Sequence, residues 1–79
     1  MTSVRVRLTF PAGLVRQPIV GQLVRRFDVL PNIRRADVRE ETGWMVCELD
    51  GDPEAVQRAL AWLEETGVAV NRVDHPLES

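Results

Sequence analysis

The sequence predicts an α+β domain in the order β-α-β-β-α-β, with a four-stranded antiparallel sheet and both helices on one face. Three observations carry that expectation. Segments 4–10 and 44–50 alternate apolar and polar side chains at the period of a half-buried strand. The segments after Pro18 and Pro53 place apolar residues at helical spacing instead. The chain has 79 residues, 44% hydrophobic and 28% charged, which suits one small core. A domain of this size buries only about 60% of its unfolded surface, so a second domain or a deep internal active site is not expected.

The first strand holds Val4, Val6, Leu8 and Phe10 between Arg5, Arg7 and Thr9, and Pro11 and Gly13 end it. Pro18 suits a first helical turn. Ile19, Val20, Leu23, Val24 and Phe27 then form an apolar stripe, with Gly21 inside it. A mid-helix glycine costs ~1 kcal/mol of propensity, so close packing against a strand or partner is expected there. Residues 29–40 read as a second strand with faulty alternation. Ile33 and Val38 lie an odd number of positions apart, and a bulge around Arg34, Arg35 and Ala36 would return both to one side. Pro31 suggests an edge strand or a strand start.

Glu41, Thr42 and Gly43 supply a short hairpin connection. In the next strand Met45, Cys47 and Leu49 share one face, and Trp44, Val46 and Glu48 the other. Asp52 is placed to cap a helix, with Pro53 in its first turn and Glu54 complementing its dipole. Val56, Ala59, Leu60 and Leu63 line that helix, Gly67 stops it, and Val68 and Val70 open a last strand. This order is that of the ferredoxin-like split βαβ fold. One face of the sheet is then uncovered and presents Arg5, Arg7, Thr9, Trp44, Val46 and Glu48, a mixed surface suited to self-association or ligand contact.

Composition narrows the function classes. No apolar run approaches the roughly 18 residues needed to cross a bilayer, and the N-terminus lacks a signal-peptide layout, so a cytoplasmic protein without membrane insertion is expected. One cysteine and one histidine leave no internal disulfide and no Cys/His zinc cluster, and no cofactor is expected. All ten basic residues are arginine, which reads as coding bias before functional choice. The charges are polarised: residues 1–39 hold eight arginines and two acids, formally +6, and residues 40–79 hold two arginines and ten acids, formally −8. Such a split fits a nucleic-acid face, a complementary self-contact or, more commonly, two solvated faces of one fold.

Local strings add a resemblance. Val6-Arg7-Leu8-Thr9-Phe10, Pro18-Ile19-Val20, Arg26-Phe27-Asp28-Val29, Asn32-Ile33, Ala59-Leu60-Ala61-Trp62-Leu63 and Gly67-Val68-Ala69-Val70, in this order, resemble the NIL domain. That is the ferredoxin-like regulatory domain at the C-terminus of the ATP-binding subunit of bacterial methionine ABC importers. The resemblance covers about residues 5–73 and implies a single domain over 1–79, with its core at about 4–74 and a polar tail at 75–79. It further implies a cytoplasmic homodimer that pairs through its sheets and binds methionine or a related amino acid nearby. Another NIL-bearing protein or a transporter subunit would be its partner.

By the same resemblance, Pro31, Asn32, Ile33 and Arg34 lie at the ligand site, with Asn32 foremost. An Asn side chain both donates and accepts, which suits a zwitterion. The chain departs from the family pattern in having Pro31 before the Asn and Arg34-Arg35-Ala36 after the Ile, where a small residue is frequent. No GxxxxGK[ST] phosphate loop occurs, so the chain reads as a stand-alone copy or an excised fragment, and its Met1-Thr2-Ser3 start and short tail favour the former as the expectation.

Plainer readings stand beside these. Asn32 also suits the backbone of a turn or bulge. Trp44 reads first as a packing or dimer-contact residue, Trp62 as core edge, Cys47 as a buried inert thiol and His75 as solvated. The acids Glu40, Glu41, Asp50, Asp52 and Glu54 fall in turns and a cap rather than a cleft, so an enzyme is not expected. RNA-recognition modules share the strand order, but Trp44 is the only ring suited to base stacking on that face. The net charge of −2 also disfavours nucleic acid. The alternative to a sensor is a ligand-free interaction module pairing through its open sheet.

Overall fold

The computed structural model describes residues 2–14, 17–39 and 42–73. The elements run β1 (Thr2–Phe10), α1 (Ile19–Arg26), β2 (Val29–Val38), β3 (Gly43–Gly51), α2 (Pro53–Thr66) and β4 (Ala69–Arg72). The strands form one sheet in the order β2-β3-β1-β4, and every pairing is antiparallel. This is the ferredoxin-like arrangement that the element order predicts, with β1 and β3 central and β2 and β4 at the edges.

The alternation in β1 and β3 translates directly into two faces. Val6 pairs with Cys47, Leu8 with Met45 and Val4 with Leu49, and side chains directly opposite in an antiparallel pair share a face. That face meets the helices. Val6, Leu8, Phe10, Met45, Cys47 and Leu49 are buried there with Ile19 and Leu23 of α1 and Val56, Ala59, Leu60 and Leu63 of α2. On the other face lie Arg5 opposite Glu48, Arg7 opposite Val46 and Thr9 opposite Trp44.

The second strand contains the expected irregularity. Ile33 pairs with Cys47 and Arg35 with Val46, so Arg34 is an extra residue and the register shifts across it. The bulge returns Ile33, Ala36 and Val38 to the helix side, because Ala36 faces Met45 and Val38 faces Gly43. Neither apolar residue is covered, however. β2 is an edge strand, and Ile33 is 50% exposed and Val38 62%.

Four local expectations are corrected. Pro18 stands just before α1 rather than inside its first turn, and its carbonyl accepts the first helical bond from the Gln22 N–H at 2.9 Å. The α1 stripe is narrower than its apolar residues suggest: Ile19 and Leu23 are buried, while Val24 is exposed. A helix of 8 residues lying on a sheet has room to bury only two turns of one face. Gly21 packs against no strand, since a methyl group at that position would meet nothing within 4 Å. Asp52 occupies the N-cap position of α2 but makes no side-chain cap hydrogen bond. Pro53 has no N–H to satisfy, and the Asp52 carbonyl accepts from the Val56 N–H at 2.9 Å.

Gly67 closes α2 as expected, in the left-handed conformation at φ 112°, with its N–H donated to the carbonyls of Leu63 and Glu64. The hairpin residues Glu40 and Glu41, and the His75 segment, lie outside the described residues. Trp62 sits at the core edge, its ring 5.9 Å from that of Phe27.

Candidate functional site

The uncovered face of the sheet collects the polar chemistry of the molecule. At its centre Arg5 donates to Glu48 across β1 and β3 at 2.9 Å, and both side chains are largely covered by their neighbours. Arg34, displaced by the bulge, brings its guanidinium to 3.7 Å from the other Glu48 oxygen. One carboxylate therefore bridges two guanidiniums drawn from β1 and β2. Beside this cluster Asn32 stands opposite Glu48, and Leu30 stands opposite Asp50 on the same face at 68% exposure.

The bulge divides the segment 31–34. Asn32 and Arg34 belong to the open face with Glu48, whereas Pro31 pairs with Leu49 and Ile33 with Cys47 on the helix side. Pro31 and Ile33 thus sit behind the plane that Asn32 presents, and the four residues do not line one surface. Two neighbours of Asn32 were missed by reading the sequence alone. Glu48 is a strand position like any other until the register sets it opposite Asn32, and the register likewise sets Leu30 beside them on the uncovered face. Their only sequence signal is parity within their own strands, and parity names a face but not a neighbour.

Further along the same face Arg7 lies over the Trp44 ring, 4.7 Å from its centroid, and Thr9 and Val46 flank the pair. Arg5, Arg7, Thr9, Trp44 and Val46 therefore form one continuous surface, as the alternation implies. Trp44 is half-buried by this stacking rather than by the core.

A second hollow opens on the helix side, where α1 begins. It measures ≈ 170 Å³ and is walled by Phe10, Leu14, Ile19, Val20, Val38 and Met45. Among the described residues Gln17 is its only polar side chain. Cys47 is buried in the core and has no part in either surface; desolvation first and the neighbouring Glu48 second push its thiol up to about 11, away from reactivity. Among the described residues no three His, Cys, Asp or Glu side chains group as a metal site.

Comparison with known proteins places this arrangement. The family model of the NIL domain matches residues 4–72. The chain belongs to the NIL domain family. Among similar proteins, methionine import ATP-binding protein MetN of Symbiobacterium thermophilum is 37% identical over 71 residues, covering 85% of this chain and 21% of that one. Methionine import ATP-binding protein MetN 2 of Acinetobacter baylyi is 33% identical over 70 residues, covering 84% of this chain and 20% of that one. The NIL chain thus spans about a fifth of the length of the curated relatives it matches. A crystal structure of the C-terminal domain of an ABC transporter ATP-binding protein from Enterococcus faecalis superposes with TM-score 0.79 at 20% identity. That superposition covers 91% of this chain and 84% of the other, which establishes the shared fold.

Proposed function

We propose that this NIL domain is a cytoplasmic regulatory module of methionine import that binds methionine or a related amino acid and acts as a homodimer through its open sheet. The observation that carries the reading is the β2 bulge, which sets Arg34 beside Glu48 and next to Asn32 on an uncovered face. An amino acid is a zwitterion, and this cluster supplies both complements. Arg34 offers a guanidinium fork for the carboxylate, Glu48 an acceptor for the ammonium, and Asn32 donates or accepts as needed. Leu30 supplies an exposed apolar wall for a thioether side chain. The relatives described above are methionine import proteins, which favours methionine within that class.

The role is binding, not catalysis. A domain coupled to a transporter would act by being liganded or not, through another NIL-bearing chain or a transporter subunit. Calorimetric titration with L-methionine tests the reading: saturable heat is expected, weakened by Asn32→Ala and by Glu48→Gln. No heat and no thermal shift at millimolar amino acid would overturn it.

A ligand-free interaction module is favoured by one separate feature, the exposed apolar residues Ile33 and Val38 on the edge strand β2. Edge strands offer unpaired backbone groups to a second chain. A domain that is a dimer in solution yet silent toward every amino acid would select that reading.

A further inference from the structure

We propose that Asp50 is the residue by which the Asn32 cluster selects an amino acid over the same molecule without its amino group. This rests on the amino-acid reading above and deepens it. Asp50 belongs to the open face, because it lies two residues from Glu48 along β3 and pairs with the exposed Leu30 of β2. On its other side the register pairs it with Ser3 of β1. Asp50 is half-buried there, and among the described residues it makes no ion pair. It is a carboxylate without a counter-ion at the edge of a cluster that holds too much positive charge.

Glu48 alone is only part of an ammonium site. Its Oε2 accepts from Arg5 at 2.9 Å, and its Oε1 lies 3.7 Å from Arg34. Two guanidiniums against one carboxylate leave +1, and Arg7 and Arg35, each opposite Val46, add to that sign. Such a cluster attracts a ligand carboxylate and repels a ligand ammonium, and both forces are stronger at a protein surface than in bulk water. Asp50 brings the missing negative charge. With it Arg5, Arg34, Glu48 and Asp50 balance, and a zwitterion finds a complement at each end.

The spacing agrees. Residues two apart in a strand are separated by about 7 Å, so Asp50 stands about that far from Glu48, against which the Arg34 guanidinium lies. Asn32 is directly opposite Glu48 and diagonal to Asp50, a separation that side chains and a small ligand can bridge. An amino acid over Asn32 with its carboxylate toward Arg34 thus turns its ammonium toward Asp50. Leu30, opposite Asp50, lowers the dielectric on that flank and strengthens the contact.

Calorimetric titration of the whole chain should compare L-methionine with 4-(methylthio)butanoate, which keeps the carboxylate and the thioether and lacks the amino group. The wild-type protein should bind methionine at least about tenfold more tightly, the scale of one hydrogen bond between charged groups. Asp50→Asn, nearly isosteric, should lose that advantage: methionine weakens about tenfold and the desamino acid does not weaken. Asp50→Glu should recover part of the loss. Glu64→Gln removes the same charge from the exposed face of α2 and should change neither affinity. Thermal melts of each variant check that the fold is intact. Silence of the wild-type protein toward methionine overturns the amino-acid reading and this inference with it. Methionine binding that Asp50→Asn leaves unchanged, or that it weakens equally with the desamino acid, overturns this inference alone. So does equal weakening by Glu64→Gln, which would mean diffuse attraction.

Discussion

Cys47 is 1% exposed between Met45 and Leu49, and its thiol is pushed up to about 11 by burial first and by Glu48 second. A raised pKa means that folding favours the protonated thiol. The associated stability is present below the unfolded value of 9.0 and is lost as pH rises from there toward 11. The native protein should therefore react with a thiol reagent only at the rate of unfolding, and denaturant should release full reactivity. Rapid stoichiometric labelling of the folded chain at neutral pH would contradict the burial. Leu49, fully buried beside it, sets the scale of the core: Leu49→Ala should cost about 2–5 kcal/mol in denaturant titration. Both positions were legible from alternation alone, because a central strand of a one-sided sheet has only two environments. Val24 was not legible. It continues the apolar spacing of its helix, yet only the placement of α1 on the sheet decides which turns are covered.

Among the elements, β2 is the most informative. The odd separation of Ile33 and Val38 announced an irregularity, and the register assigns it to Arg34. Deleting Arg34 leaves Ile33 opposite Cys47 and Arg35 opposite Val46, a regular ladder with every other side chain on its present face. The shortened protein should keep its fold and melt near the parent temperature, and it should lose amino-acid binding if the bulge builds that site. Unfolding on deletion would show that the bulge is structural. The end of α2 makes the opposite case. Gly67 has φ 112°, and a methyl group there would lie 3.2 Å from a Leu14 side-chain carbon. Gly67→Ala should cost at least about 1–2 kcal/mol, measurable by chemical denaturation. Its role was visible as a glycine after an apolar stripe. The Asp52 cap misled because residue type shows that a side chain can cap, not that it does.

At the scale of the whole molecule, the sequence disclosed the order of elements and hence the sheet, since few topologies connect β-α-β-β-α-β within about 80 residues. What it could not disclose was neighbourhood across strands. Glu48 between two arginines, and Arg7 and Arg35 on either side of Val46, join residues far apart in the chain through register alone. The same register leaves a sheet with one face packed and the other carrying Trp44, Val46 and Leu30 toward water. If two copies cover that face, folding and association are linked, and the melting temperature must rise with protein concentration by mass action. For a domain of this length about 1 kcal/mol moves the midpoint by roughly 4–8 °C, so a tenfold dilution should lower it by a few degrees. Trp44→Glu places a charge in the centre of the pairing surface while leaving the core untouched. It should convert a sedimenting dimer to a monomer and abolish the concentration dependence. A wild-type protein that sediments as a monomer with a melting temperature independent of dilution would remove the dimer from the proposed mechanism.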